Sequence, residues 1–367
     1  MSAGIEFAYA LMDNGDIAQA QQIATRLAQK ASTQPEVLQL QGLAFESMGQ
    51  LEEAEFVYRK ALSLDQDSDS RSKFSIKLAN NLLNQNRHEL AGDAYQSALS
   101  WNPQLNEDVE FNYGLACSFV GVGDTLRGKE LLKKCLKLSP DYLDAHKELA
   151  KVFFQEGEYQ SSINTIDAAL KINRSDPELW NNLALNLSEI REKEQAISAF
   201  TRAIDLNPHF ASAYCGRAIE FFNAEEYTNA IEDLTQAIKN QENYAIAYFY
   251  LGMSFVRIEE LRKGASAFAK LIKLEPDQKR GWHSLGTTLY HLKKFNCAEK
   301  SLVRAVENDP TDPWSYAYLS ESLTAMWKFD DALTWLEKGI DNTKADPRGN
   351  GKLVQMKNGI IEYLAQN

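Results

Sequence analysis

Small, large and polar residues recur along this chain with a period of 34 residues. The clearest copy is 177–210, in which Trp180 and Leu187 lie on one face of a first helical segment. Phe200 lies in the apolar stripe of a second segment, and Pro208 ends that segment. Neither helix can bury its apolar face alone. The pattern therefore predicts two short antiparallel helices that need a copy of themselves on each side.

The same frame covers the whole chain. Ten units, two inserts and one tail account for all 367 residues. The inserts, 69–71 and 106–108, are polar, and we expect the stacking of the helices to bend there. The predicted units are 1–34, 35–68, 72–105, 109–142, 143–176, 177–210, 211–244, 245–278, 279–312 and 313–346, and the tail is 347–367.

Three columns of this frame carry the packing. Positions 8 and 20 hold only Ala, Gly or Ser in the ten units, whereas position 11 is always Leu or Phe. Small residues let the two helices of a hairpin approach closely, and the large ones fill the space that remains. The columns therefore predict an all-α fold whose core runs the length of the chain.

The period and these columns resemble the tetratricopeptide repeat, a family of helix-turn-helix repeats. The unit that matches its consensus best has Trp282, Leu285, Gly286, Leu289, Ala298, Leu302, Ala305 and Pro310. The resemblance covers 1–346 and implies a right-handed superhelical solenoid of ten repeats. The tail then supplies a C-terminal capping helix, whose predicted apolar face consists of Leu353, Met356, Ile360, Ile361 and Leu364.

The charge of the chain restricts its partners. The net charge is −12 and the pI is near 5.1. Nucleic acid needs a basic face to replace counterions, and anionic membranes attract basic segments, so we expect neither as a partner. A neutral to basic protein or peptide fits better.

The cysteines and the hydropathy of the chain indicate the cellular compartment in which the protein is expected. Cys117, Cys135, Cys215 and Cys297 form no C-x-x-C pair, and we expect four buried, reduced thiols rather than a disulfide. Neither a signal peptide nor a run of 18 apolar residues is visible, so a cytoplasmic protein without membrane insertion is expected. A leader that had been trimmed from the chain would not show.

No motif in the chain predicts catalysis. Gly123 to Lys129 reads G-x-x-x-x-G-K, but Glu130 follows where a phosphate-binding loop needs Ser or Thr, and a helix precedes. His283 and His291 share one helical face, yet eight residues separate them by about 12 Å, too far for one metal ion. We therefore predict a non-enzyme without cofactor or metal.

The resemblance also implies a groove. In this family the first helix of each repeat lines a concave surface, and most of its contacts come from repeat positions 2, 5, 9, 12 and 13. The corresponding candidate residues for peptide binding are Tyr113, Cys117, Val120, Cys215, Ile219, Phe222, Phe249, Met253, Val256, Arg257, Arg280, His283, Tyr290 and His291. Exposed apolar side chains here would mark a docking site for a peptide or helix, with the arginines and histidines holding a carboxylate. The alternative is that a tight superhelix buries them.

Two specialised members of the family do not match. The clamp for a C-terminal carboxylate is incomplete, because Lys151 stands at position 9 of the fifth unit where the clamp needs Asn. An asparagine ladder needs Asn at position 6 repeatedly, and only Asn182 provides it.

We therefore expect a scaffold that binds a segment of a partner protein in the groove, mainly at units seven to nine. One alternative is an accessory subunit that presents substrates to an enzyme or to a secretion, pilus or glycosylation complex. Another is an oligomer that self-associates through its terminal repeats, where Trp314 and Trp327 are expected to be partly exposed.

Overall fold

The computed structural model describes residues 2–31, 33–65 and 67–366, and all regular secondary structure in these ranges is helical. The predicted units 1–34 and 35–68 and the predicted tail include residues 1, 32, 66 and 367, which lie outside these ranges. Successive helices pack as hairpins along the chain.

The chain forms two compact units, Met1–Arg174 and Ser175–Asn367. Each is a helical-repeat solenoid in which the first helices of successive hairpins also contact one another. The helices of the first unit are α1 (Ser2–Asp13), α2 (Ile17–Lys30), α3 (Pro35–Ser47), α4 (Leu51–Leu64), α5 (Ser68–Asn84), α6 (His88–Trp101), α7 (Val109–Gly121), α8 (Thr125–Leu138), α9 (Leu143–Gln155) and α10 (Tyr159–Ile172), with a short 3-10 helix at Pro103–Glu107.

The second unit continues with the same alternation. Its helices are α11 (Pro177–Glu189), α12 (Lys193–Leu206), α13 (Ala211–Asn223), α14 (Tyr227–Asn240), α15 (Ala245–Arg257), α16 (Leu261–Leu274), α17 (Lys279–His291), α18 (Phe295–Asn308), α19 (Pro313–Ala325), α20 (Phe329–Asn342) and α21 (Pro347–Gln366). The last helix packs on α19 and α20.

Every hairpin turns through a left-handed residue at position 15 of the frame. A residue with positive φ just after a helix lets its amide reach back to the last carbonyls, and glycine adopts this conformation most easily. Four of the positions are glycine and six are not. They are Gly15, Gly49, Asn86, Gly123, Gly157, Arg191, Glu225, Glu259, Lys293 and Trp327.

The core follows the columns of the frame. All twenty residues at positions 8 and 20 are buried. The largest fully buried side chains include several at position 24, such as Tyr58, Tyr95, Phe200 and Phe268. A Cβ added to Gly216, at position 6 of the next hairpin, would lie 2.4 Å from the ring of Phe200. Position 24 therefore fills the space under the following first helix.

The polar insert 69–71 is helical, because α5 begins at Ser68 and takes the insert into its first turn. Asp67 caps that helix by accepting a hydrogen bond from the amide of Ser70 at 2.8 Å.

The tail does form one helix, but its apolar face is narrower than expected. Leu353 and Ile360 are buried against α19 and α20, whereas Ile361 and Leu364 are exposed. Pro347 opens the helix, and the Asp346 carboxylate accepts hydrogen bonds from the amides of Arg348 and Gly349.

Candidate functional site

The second unit carries a cluster of aromatic side chains on the neighbouring helices α13, α14 and α15. Phe222 on α13 meets Tyr250 on α15 edge to face, with ring centroids 5.5 Å apart. Tyr250 meets Phe249 at the same distance, and Phe222 also contacts Tyr227. Phe249 rests on the buried ring of Phe268. We call Phe222, Tyr227, Phe249 and Tyr250 the first aromatic cluster; all four are half-buried.

A second aromatic cluster lies on α17 and α19 and consists of His283, Tyr290, His291 and Tyr318. Tyr318 contacts the other three rings, with centroids 5.4 to 6.2 Å apart. Tyr290 also contacts His291 at 5.3 Å. Burial and the carboxylate of Glu321, which accepts its hydrogen bond, raise the pKa of Tyr290. The phenol thus stays protonated and remains a donor at neutral pH.

Both clusters arise from the same offset in the frame. Position 12 of one hairpin, Phe222 or Tyr290, meets position 6 of the next, Tyr250 or Tyr318. The sequence prediction included Phe222 and Tyr290 but omitted Tyr250 and Tyr318, because position 6 was considered only for asparagine. The signal that could have identified them is an aromatic residue at position 6 that follows an aromatic residue at position 12 of the preceding hairpin.

A partner for His283 comes from the chain itself. Its Nδ1 lies 2.8 Å from the Ser315 hydroxyl oxygen and 3.2 Å from Asp312 Oδ2. Asp312 also caps α19 by accepting hydrogen bonds from the amides of Trp314 and Ser315, both at 3.1 Å. Burial opposes ionisation, but the hydrogen bonds from His283 and Ser315 prevail and lower the pKa of Asp312 to about 2. His283 is thus engaged by an internal carboxylate.

The two arginines of the candidate groove are available to a partner. Arg257 ends α15 and Arg280 lies in the first turn of α17, and both are exposed. Burial and the Cys215 thiol raise the pKa of Tyr250, while the charge of Arg280 opposes that rise. Arg280 is therefore close enough to the first aromatic cluster to act on a ligand bound there.

One candidate residue is part of the core instead of the surface. Cys215 is 2% exposed, and burial raises the pKa of its thiol to about 12. Ile219, Met253 and Val256 are half-buried, as expected for residues that combine packing with partial exposure. Val256 packs against Gly264, where an added Cβ would lie 2.9 Å from its methyl group.

The remaining candidates, Tyr113, Cys117 and Val120, lie on α7 in the first unit and are half-buried. Tyr113 contacts Tyr142 edge to face at 5.5 Å. Burial, together with the nearby Glu148, raises the pKa of Cys117 to about 11. All four cysteines are free thiols, but Cys297 is exposed and Cys117 is only half-buried, which corrects the expectation that all of them are buried.

The residues of the G-x-x-x-x-G-K segment occupy ordinary structural positions of the repeat. Gly123 has a φ of 86° in the turn between α7 and α8, and Gly128 is buried at position 20. Lys129 pairs with Glu156 and, at 3.1 Å, with Glu158 on the next hairpin. A helix precedes the segment where a phosphate-binding loop needs a strand.

Within 2–31, 33–65 and 67–366, no group of three or more His, Cys, Asp or Glu side chains is arranged to hold a metal ion. In the same part of the chain, none of the helices combines the length and apolarity that crossing a membrane requires.

Comparisons with known proteins agree with the helical repeats. Family models described as tetratricopeptide repeat match residues 35–68, 120–185, 181–245 and 215–261. No curated protein matches the sequence.

Among solved structures, the chain is similar to a tetratricopeptide repeat protein from Parabacteroides merdae, with a TM-score of 0.56 at 19% identity. The match covers 70% of this chain and 98% of that one. It is also similar to PilF of Pseudomonas aeruginosa, with a TM-score of 0.51 at 15% identity over 59% of this chain and 97% of PilF. At these identities the likeness shows the fold. The matches to tetratricopeptide repeat models identify the chain as a tetratricopeptide repeat protein.

Proposed function

We propose that this chain is a non-enzymatic scaffold that binds a peptide or helix of a neutral to basic partner protein on α13, α15 and α17. The family fold supports a role in protein–protein interaction. The finer assignment depends on one observation, the first aromatic cluster. Its four half-buried rings lie next to one another on adjoining helices, and three edge-to-face contacts join them.

The chemistry of this surface suits an amphipathic segment. Half-buried aromatic and aliphatic side chains bury a large area when a partner covers them, and they lose little conformational entropy. Arg257 and Arg280 flank the cluster and supply charge-assisted hydrogen bonds to an acidic residue of the segment. The whole chain carries a net charge of −12, so a partner that is basic overall is attracted over longer distances.

The test is a selection of binding peptides followed by variants. A phage-displayed library of random short peptides is selected on the immobilised chain, and enriched peptides are measured by fluorescence anisotropy. Phe249→Ala/Met253→Ala is expected to weaken them at least about 10-fold, since each removes a contact of roughly 1 kcal/mol or more. Ile258→Ala, an exposed residue just after α15, is the matched control.

Folding must be separated from binding, because Phe249 and Met253 also pack on Phe268. Arg257→Glu and Arg280→Glu change only exposed groups and should weaken peptides that carry an acidic residue. Enriched peptides that bind all these variants as tightly as the native chain would refute the assignment to this surface.

A further inference from the structure

A cavity of about 620 Å³ opens at the C-terminal end of the second unit, apart from the first aromatic cluster. It lies among α17, α19, the start of α20 and α21, and its size falls within the range of ligand sites, roughly 300 to 1,000 Å³. Its lining includes Tyr290, Glu321, Trp327, Phe329, Met356 and Tyr363.

Aromatic rings form much of its wall. Trp327 stands perpendicular to Phe329 with centroids 5.8 Å apart, and Phe329 is tilted against Tyr363 at 5.4 Å. Tyr290 of the second aromatic cluster completes the set. Aromatic rings gathered around one volume can bind an organic cation through their electron-rich faces.

The charge of the wall points the same way. Among the described residues that line the cavity, Glu321 is the one charged side chain. Its carboxylate accepts the hydrogen bond of Tyr290 and retains further acceptor positions for a ligand. A carboxylate within an aromatic wall attracts a positive group and repels an acidic one.

Trp327 adds an independent observation. It is 73% exposed, so its ring contributes little to the core. It also occupies the left-handed position of its hairpin with a φ of 61°, a conformation that is unfavourable for a large side chain. A smaller residue would suit both the packing and the backbone conformation of this turn. Neither therefore explains why a tryptophan ring stands here.

Two other tryptophan rings of the chain each contact a cationic side chain. The guanidinium of Arg71 lies 4.2 Å from the ring centre of Trp101, and the ammonium of Lys338 lies 4.6 Å from that of Trp335. Across the described residues, no cation of the chain lies over Trp327. That ring is therefore open to a cation from outside.

We propose that this cavity is a binding site for an arginine side chain of a partner peptide. The planar guanidinium stacks on the aromatic faces and forms hydrogen bonds with Glu321. The apolar stem of the arginine packs along Met356 and Ile360. The same apolar part of the wall can contact apolar residues that flank the arginine in the peptide. The proposal does not depend on the first aromatic cluster.

The test uses two short fluorescein-labelled peptides in which leucines flank either one arginine or its neutral isostere citrulline. Fluorescence anisotropy at constant ionic strength is expected to show the arginine peptide binding at least about 10-fold more tightly, as a desolvated cation–π and charge-assisted contact predicts. Equal affinities, or no binding of the arginine peptide up to about 1 mM, a weak-affinity limit, would overturn the proposal.

Variants then locate the site. Trp327→Gly removes the ring and relieves the left-handed backbone, so it should fold and still weaken the arginine peptide about 10-fold. Glu259→Gly makes the same backbone change in another hairpin and should leave binding intact. Glu321→Gln should weaken the peptide similarly. Unchanged binding by Trp327→Gly would overturn the proposal.

A competition experiment distinguishes a peptide site from a site for small cations. N-acetyl-arginine amide should displace the labelled peptide at lower concentration than tetramethylammonium chloride, which lacks planar donors and a stem. Equal displacement by both would assign the cavity to small organic cations and overturn the peptide assignment.

Discussion

Asp312 is the residue at which substitution and pH should produce the clearest linked effects. Its carboxylate caps α19, accepts a 2.5 Å hydrogen bond from the Ser315 hydroxyl and pairs with His283. We predict that Asp312→Asn destabilises the C-terminal hairpins at neutral pH, and that the difference from the native chain shrinks as the pH falls. Asparagine is itself a good N-cap, so this substitution removes mainly the charge.

The magnitude follows from the depressed pKa. A fall in the pKa of Asp312 from 3.8 to about 2 corresponds to about 2.4 kcal/mol. The side chain is 26% exposed, and water screens part of the interaction, so we expect about 1.5 kcal/mol. Asp312→Ala also loses the cap and should cost about 1 kcal/mol more.

The sign of the pH dependence is fixed by the direction of the shift. Because the folded pKa is below the unfolded one, the stabilisation is fully present above pH 3.8 and is lost as the pH falls through about 2. About half of it should be gone by pH 3, a value that follows from the two pKa values. Asp312→Asn should therefore be less stable than the native chain at pH 7 and closer to it at pH 3.

Urea unfolding followed by tryptophan fluorescence measures this. Four of the six tryptophans, Trp282, Trp314, Trp327 and Trp335, lie in or beside α17 to α20, so the signal reports mainly on this end. Hydrogen exchange of α19 gives a local readout, which is needed because repeat proteins can unfold in parts. A destabilisation of the same size at pH 7 and pH 3 would show that the charge of Asp312 is not its source.

Three further predictions concern single sites. Asp233→Ala should lower the free energy of unfolding, measured in urea, by about 3 kcal/mol. The guanidinium of Arg217 lies 2.7 Å from the Asp233 carboxylate, and the substitution leaves it largely buried without that partner. Cys297 should react first with a thiol reagent at pH 8, since it is exposed while burial raises the pKa of the other three thiols; simultaneous reaction of all four would contradict this. Glu259→Gly should stabilise the chain by about 0.5 kcal/mol and Gly157→Ala should destabilise it by about 1 kcal/mol in thermal or urea melts, because both lie at positive φ.

The sequence predicted the helices well because the period of 34 residues constrains every unit at once. Positions 1 and 17 mark helix starts in nearly all hairpins, as in α11 and α12. It could not predict that α5 would begin at Ser68, since a polar insert reads equally well as a loop and as a capped first turn. The narrow buried face of α21 depends on its rotation against α19 and α20, which local periodicity does not determine.

The candidate site was predicted less completely for a related reason. Repeat positions identify which helix a residue belongs to but not what the neighbouring hairpin places beside it. Cys215 is buried because α14 and α15 pack against it, whereas Tyr250 and Tyr318 complete the aromatic clusters from the following hairpin. The cavity beside Trp327 includes residues from four helices and could not be inferred from any one column.

Backbone strain is distributed unevenly between the two compact units. In the first, four of the five left-handed turn positions are glycine and the fifth is Asn86, a residue that tolerates this conformation. In the second, all five carry larger side chains, namely Arg191, Glu225, Glu259, Lys293 and Trp327. Each costs about 1 kcal/mol relative to an unstrained turn. Strain that does not improve packing persists where the surrounding structure can bear it, and it accumulates at functional surfaces. The unit that bears it also holds both aromatic clusters and the cavity beside Trp327, so the strain and the proposed binding surfaces point to the same half of the chain.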